Sequence, residues 1–399
     1  SLPPTCSQGY SGFFVRYLVN NLTLENVLRE HEVLESALIE AEEKNLRLIP
    51  QLYDALIVDE GQDLPPVFYN LLLASLKPDK RLYWAYDEAQ GIGSLIIPTS
   101  KEMFGQDSQG NSRVDVTGLY SGGIQKSHLM NRCYRTPRLL LMTAHALNMG
   151  LMRSGGPLQG VSTQQEWSNL GYKITDGNFG AASVSQGASV TITRPPQTSP
   201  HPIDQDNFPQ KDALGDILTY RTFNGEDEEQ QWIVEQVKQD LDLGFQPDDI
   251  LITALNGDQD RGYLLKLKQK LENRGIAAYA AGLEIFPGDR YPNRKIFRIS
   301  GKVTISNIFR AKGNEAWKVY ACRFHYATQP LARRQETELQ KRNEAFVALT
   351  RARVWCVVTG LNQSEIFDEL QQAISQAPNL TFKAFNQNSL KRVINDAEG

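Results

Sequence analysis

The sequence predicts an α/β protein built from two lobes with parallel sheets. Apolar runs typical of buried strands alternate with helical segments along most of the 399 residues. Two of these runs, 53–58 and 81–86, enclose the helical segment 65–76, and a strand-helix-strand order favours parallel pairing. A Gly-, Ser- and Asn-rich stretch then separates this first set from a second one. We expect the lobes at residues 1–125 and 126–399.

The first lobe is predicted to open with a charged helix, Leu24 to Leu48, ahead of its first strand. The helix between the two strands begins at Pro65 and Pro66, which a first helical turn tolerates because its N–H groups have no intrahelical acceptor. Beyond this lobe, the Gly-rich stretch 155–187 and the Pro-rich stretch 195–209 indicate irregular segments or short strands.

Regular alternation resumes in the second lobe. Glu226 to Leu243 has acidic residues in its first turn, which favours a helix there. A second helix, Leu264 to Asn273, is followed by Gly275, a typical C-terminal cap. The strands predicted for this lobe are 250–255, 276–280, 302–308, 319–322 and 354–359.

The composition is that of an ordinary globular protein with a sizeable core, at 41% hydrophobic and 22% charged residues. No apolar run is long enough to cross a bilayer and no secretion signal begins the sequence, so a cytoplasmic location is expected. Cys6, Cys133, Cys322 and Cys356 are too scattered for a zinc site or a disulfide scaffold. We expect reduced thiols that fill cores.

The net charge of −4 conceals an asymmetry along the chain. Residues 25–63 contain eleven acidic and three basic side chains, whereas residues 290–353 contain fifteen basic and four acidic ones. Clustered Lys and Arg attract phosphate backbones whatever their sequence. The basic segment is therefore either a surface for a polyanion or a solvated face, and charge does not separate the two.

A carboxylate pair follows the first predicted strand. Asp59 and Glu60, and then Gln62 and Asp63, come directly after the apolar run 55–58. A carboxylate at the end of a strand can hold Mg²⁺ on nucleotide phosphates, and its neighbour can orient the attacking water. The alternative is a cap on the following helix.

Three further polar positions follow strands or helices. Gln90 lies after the second strand, where an amide can sense a terminal phosphate or simply form a turn. Arg135 stands beside an aromatic residue at a helix start, and Arg351 stands at a helix end. A guanidinium in such a place can stabilise charge on a transferring phosphoryl group, or form a surface contact or structural ion pair.

The last such segment joins a strand to a basic turn. Thr304 and Ser306 lie in the strand 302–308, and the turn places a lysine and a glycine ahead of a carboxylate. The residues of this turn are Lys312, Gly313 and Glu315.

In this order, the segments resemble the helicase motifs of the UvrD/Rep-like branch of superfamily 1. The boxes are D-E-x-Q-D, D-x-x-Q-x-I, N-Y-R-[ST]-like, T-x-H-x-x-K-G-x-E-like and V-A-L-T-R-A, and they span Asp59 to Arg353. The resemblance implies two RecA-like P-loop NTPase lobes that use ATP and Mg²⁺. It also implies single-stranded or partly duplex DNA as partner, with RNA not excluded.

The resemblance implies a role for each matching residue. Asp59 would hold Mg²⁺, Glu60 would be the catalytic carboxylate and Gln90 the γ-phosphate sensor. Arg135 and Arg351 would contact phosphates. The residues implied on the nucleotide side are Gln62, Asp63, Gly313 and Glu315, and those implied to couple nucleotide to nucleic acid are Thr304, Ser306 and Lys312.

Several positions depart from the family pattern. Gly93 replaces a base-stacking aromatic, while Asn307, Asn314 and Phe346 replace the usual His, Leu and Tyr. Of the other aromatics near the boxes, Trp84, Tyr86 and Trp317 are expected to pack in cores.

The G-x-x-x-x-G-K-[ST] phosphate loop does not occur in the sequence. We therefore expect an incomplete first lobe, a missing N-terminal part with that loop, and little ATP hydrolysis by this chain alone. Two hypotheses remain: the C-terminal portion of an ATP-driven DNA helicase or translocase, or an ATPase-inactive nucleic-acid-binding or scaffold protein that retains the fold.

Overall fold

A computed structural model describes most of the chain after residue 50. The described residues are 51–61, 64, 66–87, 100–209, 214–255, 261–287, 290–293, 295–330, 337–362 and 364–393. The predicted helix 24–48 and the site candidates Gln62, Asp63 and Gln90 lie outside them.

The chain forms two compact units that meet in sequence between His128 and Leu129. The first unit contains a two-stranded parallel sheet with a helix between its strands, as the sequence predicts. Its elements are β1 (Tyr53–Val58), α1 (Pro66–Ser75), β2 (Leu76–Trp84) and α2 (Ser100–Phe104). Its core is aromatic, with Tyr69 packed edge-on against Trp84 and Phe104.

The second unit contains more elements, in two sheets and a short strand pair. Its first half comprises α3 (Arg138–Met149), β3 (Gln159–Gly160), α4 (Gln164–Asn169), β4 (Lys173–Asp176), α5 (Ala181–Gln186), β5 (Ser189–Thr193), β6 (Leu218–Phe223), α6 (Glu226–Asp242) and β7 (Ile250–Ala254). Its second half comprises α7 (Arg261–Asn273), β8 (Ala278–Ala280), β9 (Val303–Asn307), α8 (Ile308–Ala311), β10 (Ala316–Cys322), α9 (Glu338–Thr350), β11 (Ala352–Leu361), α10 (Glu365–Gln376), β12 (Asn379–Lys383) and β13 (Arg392–Val393).

The main sheet of the second unit is six-stranded among the described residues, in the order β6-β11-β10-β7-β9-β8, and every neighbouring pair is parallel. Helices α6 and α7 cover one face, where Ile233 and Leu267 pack against Ile252 and Ile305. Helix α9 packs against β10 and β11. This is the helix-covered parallel sheet expected of a doubly wound α/β lobe.

A smaller antiparallel sheet, in the order β12-β5-β4, lies in the same unit. Its core contains the fully buried Trp167, which packs edge-on against Tyr172 and at a tilt against Phe382. Strand β12 pairs with β5 across a long sequence separation, with Thr381 opposite Thr191. The C-terminal residues 379–383 therefore complete a core that begins far upstream.

The structure corrects several predictions from the sequence. The stretch 155–187, expected to be irregular or to form short strands, contains the helices α4 and α5 as well as short strands. Of the aromatics expected in cores, Tyr86 and Trp317 are each 44% exposed, and Arg353 lies 4.6 Å from the ring centre of Trp317. Among the described residues, no helix combines the length and apolarity needed to cross a membrane.

Candidate functional site

The first unit presents its carboxylate pair at the carboxyl end of β1. Asp59 is exposed, and its Oδ1 accepts the backbone N–H of Glu60 at 2.9 Å. Glu60 has φ 55°, in the left-handed region that residues with a Cβ seldom adopt. Such strain is often stored at functional sites.

Gly61 allows the turn to approach the neighbouring strand. Its N–H donates to Ala85 O at 2.8 Å and its carbonyl accepts the hydroxyl of Tyr69 at 3.0 Å. A Cβ at this position would lie 2.4 Å from the Tyr69 hydroxyl oxygen and 3.2 Å from Ala85 O. Because Tyr69 is buried and held by neighbouring rings, it cannot move aside freely.

Gly61→Ala is therefore expected to destabilise the first unit by about 1–3 kcal/mol, through overpacking and loss of the Tyr69 hydrogen bond. Hydrogen exchange of peptides covering β1 and β2 should accelerate in the variant. Gly225→Ala is the matched control, since a Cβ there meets nothing within 4 Å. Equal exchange in Gly61→Ala and wild type would contradict the close approach.

The carboxylate pair suits a hard cation by its donor chemistry. Asp59 and Glu60 offer oxygen ligands at a strand end, and Mg²⁺ commonly takes one or two carboxylates and completes its shell with water and phosphate oxygens. Among the described residues, no cluster of three or more His, Cys, Asp or Glu side chains forms a closed metal cage. The pair therefore fits an open Mg²⁺ site, in which water and phosphate oxygens supply the remaining ligands.

In the second unit, two arginines converge on one carboxylate. Arg135 Nε lies 2.9 Å from Glu315 Oε2, and Arg353 Nε lies 3.5 Å from Glu315 Oε1. Arg298 Nη2 donates to the Glu315 carbonyl at 2.7 Å. These side chains lie at the amino-terminal edge of the main sheet, since β10 begins one residue after Glu315 and β11 just before Arg353.

Arg351 lies at the same edge of the sheet, directly before β11. It is 1% exposed, and its Nη1 reaches the carbonyl of Asn314 at 3.5 Å. Its Nε donates to Val347 O and its Nη2 to Thr350 Oγ1. The sequence suggested a guanidinium at a helix end that could reach a phosphoryl group, whereas this one is buried. Its predicted contact with phosphate stays a prediction.

An open pocket of about 460 Å³ lies over this edge. Its volume is within the range of small-ligand sites. The charged side chains of its lining are Arg135, Arg298 and Glu315, which favours an anionic ligand. The complete lining is Arg135, Phe297, Arg298, Gly313, Asn314 and Glu315.

The residues predicted to couple nucleotide to nucleic acid lie deeper. Thr304 and Ser306 are fully buried in β9, and neither hydroxyl has a hydrogen-bond partner among the described residues. Lys312 follows α8 and is 8% exposed. Contact with a nucleic-acid strand would require the hydroxyls of Thr304 and Ser306 to become accessible. The coupling roles of these residues therefore also stay predictions.

A buried carboxyl group lies at the opposite edge of the sheet. Glu229 Oε1 accepts the hydroxyl of Thr359 at 2.7 Å and the N–H of Arg323 at 3.0 Å. Burial raises the pKa of Glu229 above its ordinary value, and these hydrogen bonds only partly oppose the shift. These contacts are those of a packed structural group.

Glu229 should make the second unit less stable as pH rises. Because its folded pKa is raised, the folded state keeps a proton that the unfolded chain releases, so stability falls from the ordinary carboxyl pKa upward through the folded pKa. We expect Glu229→Gln to flatten this fall in urea denaturation curves measured across the acidic range. Glu235→Gln on the same helix should leave the fall in place, because Arg274 lowers the pKa of Glu235. An unchanged slope in Glu229→Gln would contradict the assignment.

Three residues of the site were missed by sequence reasoning. Phe297 and Arg298 belong to a segment outside the recognised boxes, and the only sign of Arg298 was its place in the basic run 290–353. Arg353 directly follows the last box and received no role of its own.

Comparison with known proteins gives limited information. No family model matches the chain, and none of the curated proteins matches it. Among solved structures, it is similar to the C-terminal domain of a possible DNA helicase from Lactobacillus plantarum WCFS1, with 13% identity and a TM-score of 0.29. The alignment covers 45% of this chain and 86% of that domain. A TM-score this low does not establish a common fold.

Proposed function

We propose that the chain carries the carboxylate boxes and the second lobe of an ATP-dependent DNA helicase or translocase of the UvrD/Rep-like type. In this proposal both units derive from RecA-like lobes, the nucleotide is ATP with Mg²⁺, and the partner is single-stranded or partly duplex DNA. The phosphate loop would be supplied by a segment outside these 399 residues.

The proposal rests on one observation above others, the convergence of three distant segments at one sheet edge. Arg135 comes from the N-Y-R-[ST]-like box, Glu315 from the K-G-x-E-like box and Arg351 from the V-A-L-T-R-A box. Arg135 pairs with Glu315, and Arg351 contacts Asn314, the residue before Glu315. Glu315 and Arg351 directly precede the neighbouring parallel strands β10 and β11, so their proximity is expected of any such sheet. The ion pair of Arg135, which comes from a segment outside this sheet, is the contact that supports the resemblance.

The chemistry of these groups suits phosphoryl transfer. A guanidinium such as that of Arg135 can bind phosphate oxygens and stabilise charge that develops on them. Glu60 would orient and deprotonate the attacking water, and Asp59 would ligate the cation. Bound Mg²⁺ would supply neutralisation of phosphate charge. The basic run 290–353 would attract the nucleic-acid backbone.

The burial of Arg351 favours the second hypothesis, a nucleic-acid-binding or scaffold protein without ATP turnover. Its guanidinium is engaged by Val347, Thr350 and Asn314 within the second unit, as expected of a structural residue. The two hypotheses differ in one measurable property, which is DNA-stimulated ATP hydrolysis.

Arg135→Ala tests the proposal because Arg135 is 53% exposed and its loss should not unfold the protein. In the protein made from the complete reading frame, we expect DNA-stimulated ATP hydrolysis to fall roughly a hundred- to a thousand-fold. Arg274→Ala is the control, since Arg274, directly after α7, forms a similarly exposed ion pair with Glu235 on α6. Equal rates in both variants, or no hydrolysis by the wild type, would overturn the proposal.

A further inference from the structure

The pocket at the amino-terminal edge of the sheet contains two residues that the recognised boxes do not supply. Phe297 and Arg298 come from the segment that leads into β9, and both line the pocket with Arg135 and Glu315. Phe297 is half-buried and Arg298 is exposed. The pocket therefore combines guanidinium groups, a carboxylate and an aromatic ring, each suited to a different part of a nucleotide.

The guanidinium groups suit a polyphosphate. Arg298 Nη2 donates to the Glu315 carbonyl at 2.7 Å, while Arg135 Nε pairs with Glu315 Oε2 at 2.9 Å. Both arginines are thus held at the same residue, one at its carbonyl and the other at its carboxylate. The planar guanidinium fork matches phosphate oxygens, and two such groups beside one carboxylate leave the pocket with excess positive charge.

The carboxylate and the ring suit a nucleoside. Glu315 is 35% exposed, so its oxygens can accept the hydroxyl hydrogens of a ribose, as acidic residues do in other nucleotide sites. Phe297 is the aromatic residue among the lining side chains, and aromatic faces stack on nucleobases.

We propose that Phe297 and Arg298 complete the nucleotide-binding pocket of the second unit, with Arg298 on the phosphates and Phe297 against the base. This inference rests on the proposed function and adds two residues to it. A free nucleoside triphosphate fits better than a DNA strand, because deoxyribose has no 2′-hydroxyl for Glu315 to bind.

Titration calorimetry of the protein made from the complete reading frame, with ATP, with inorganic tripolyphosphate and with a single-stranded oligothymidylate, tests this assignment. Phe297→Ala should weaken ATP binding roughly tenfold and leave tripolyphosphate binding unchanged, because only the base contact is lost. Arg298→Ala should weaken binding of both ATP and tripolyphosphate roughly tenfold, because a phosphate contact is lost. Circular dichroism should show the wild-type fold in each variant.

Matched controls come from the same unit. Tyr291 lies in the same segment as Phe297, is 78% exposed and does not line the pocket, so Tyr291→Ala removes a ring without touching the site. Arg274→Ala removes an exposed arginine elsewhere. Both should bind ATP as the wild type does.

The outcomes separate this inference from the proposed function. If Arg135→Ala loses ATP binding while Phe297→Ala and Arg298→Ala retain it, the inference fails and the proposed function stands. If the wild-type protein binds no ATP at millimolar concentration, the pocket is not a nucleotide site, and both the inference and the proposed function fail. If Phe297→Ala and Arg298→Ala weaken binding of the oligothymidylate but not of ATP, the pocket holds a DNA strand and the inference is overturned.

Discussion

Arg342→Ala is expected to lower the free energy of unfolding of the second unit by about 3–5 kcal/mol, because it leaves a buried carboxylate without its partner. Arg342 is fully buried and binds Glu369 through both terminal nitrogens, at 2.9 and 2.7 Å. Its Nη1 also donates to Leu147 O at 2.5 Å and its Nε to Glu338 Oε1 at 3.0 Å. This one side chain therefore joins α3, α9 and α10.

Urea denaturation followed by circular dichroism measures the effect. The double variant Arg342→Met with Glu369→Leu removes both charges and should recover much of the lost stability, since an apolar pair of similar volume has no unpaired charge. Arg274→Ala removes an exposed ion pair and should cost about 0–1 kcal/mol. A loss in Arg342→Ala as small as that of Arg274→Ala would contradict the network.

Glu60→Gln is expected to reduce ATP hydrolysis roughly a hundred- to ten-thousand-fold in the protein made from the complete reading frame, with Mg-ATP binding retained. Glutamine keeps the size of the side chain but cannot accept a proton from water. The turn that holds Glu60 should persist, because Asp59 Oδ1 and Gly61 make its backbone hydrogen bonds.

Steady-state hydrolysis and equilibrium binding of ATP are the two readouts for Glu60→Gln. Glu272→Gln is the matched control, since Glu272 is an exposed carboxylate paired with Lys268 on α7 and should leave hydrolysis unchanged. Hydrolysis by Glu60→Gln at the wild-type rate would remove Glu60 from the chemistry.

Local sequence signals predicted the regular part of the fold. Helix α6 has an acidic first turn, β7 is a fully buried apolar run, and Gly275 with φ 81° follows α7, each as expected. Strand β6 was missed because it is an edge strand with polar residues between its apolar ones. Strand β12 was missed because its pairing with β5 depends on residues far upstream.

The site shows the same division. The order of the boxes identified Arg135, Glu315 and Arg351 as candidates, since each lies in a short recognisable segment. The pairing of Arg135 and Arg353 with one carboxylate depends on parallel strands meeting at one edge, which no local pattern reports. The burial of Arg351 likewise depends on a distant segment, since its guanidinium, directly after α9, contacts the carbonyl of Asn314.

The most direct test of the central claim is the DNA sequence that encodes the residues upstream of Ser1. A helicase or translocase of the proposed kind requires a phosphate loop there, and we predict an open reading frame containing a strand followed by G-x-x-x-x-G-K-[ST]. A natural reading frame that starts at or near Ser1 without this loop would contradict ATP turnover, and a nucleic-acid-binding protein that retains the fold would then be the better account.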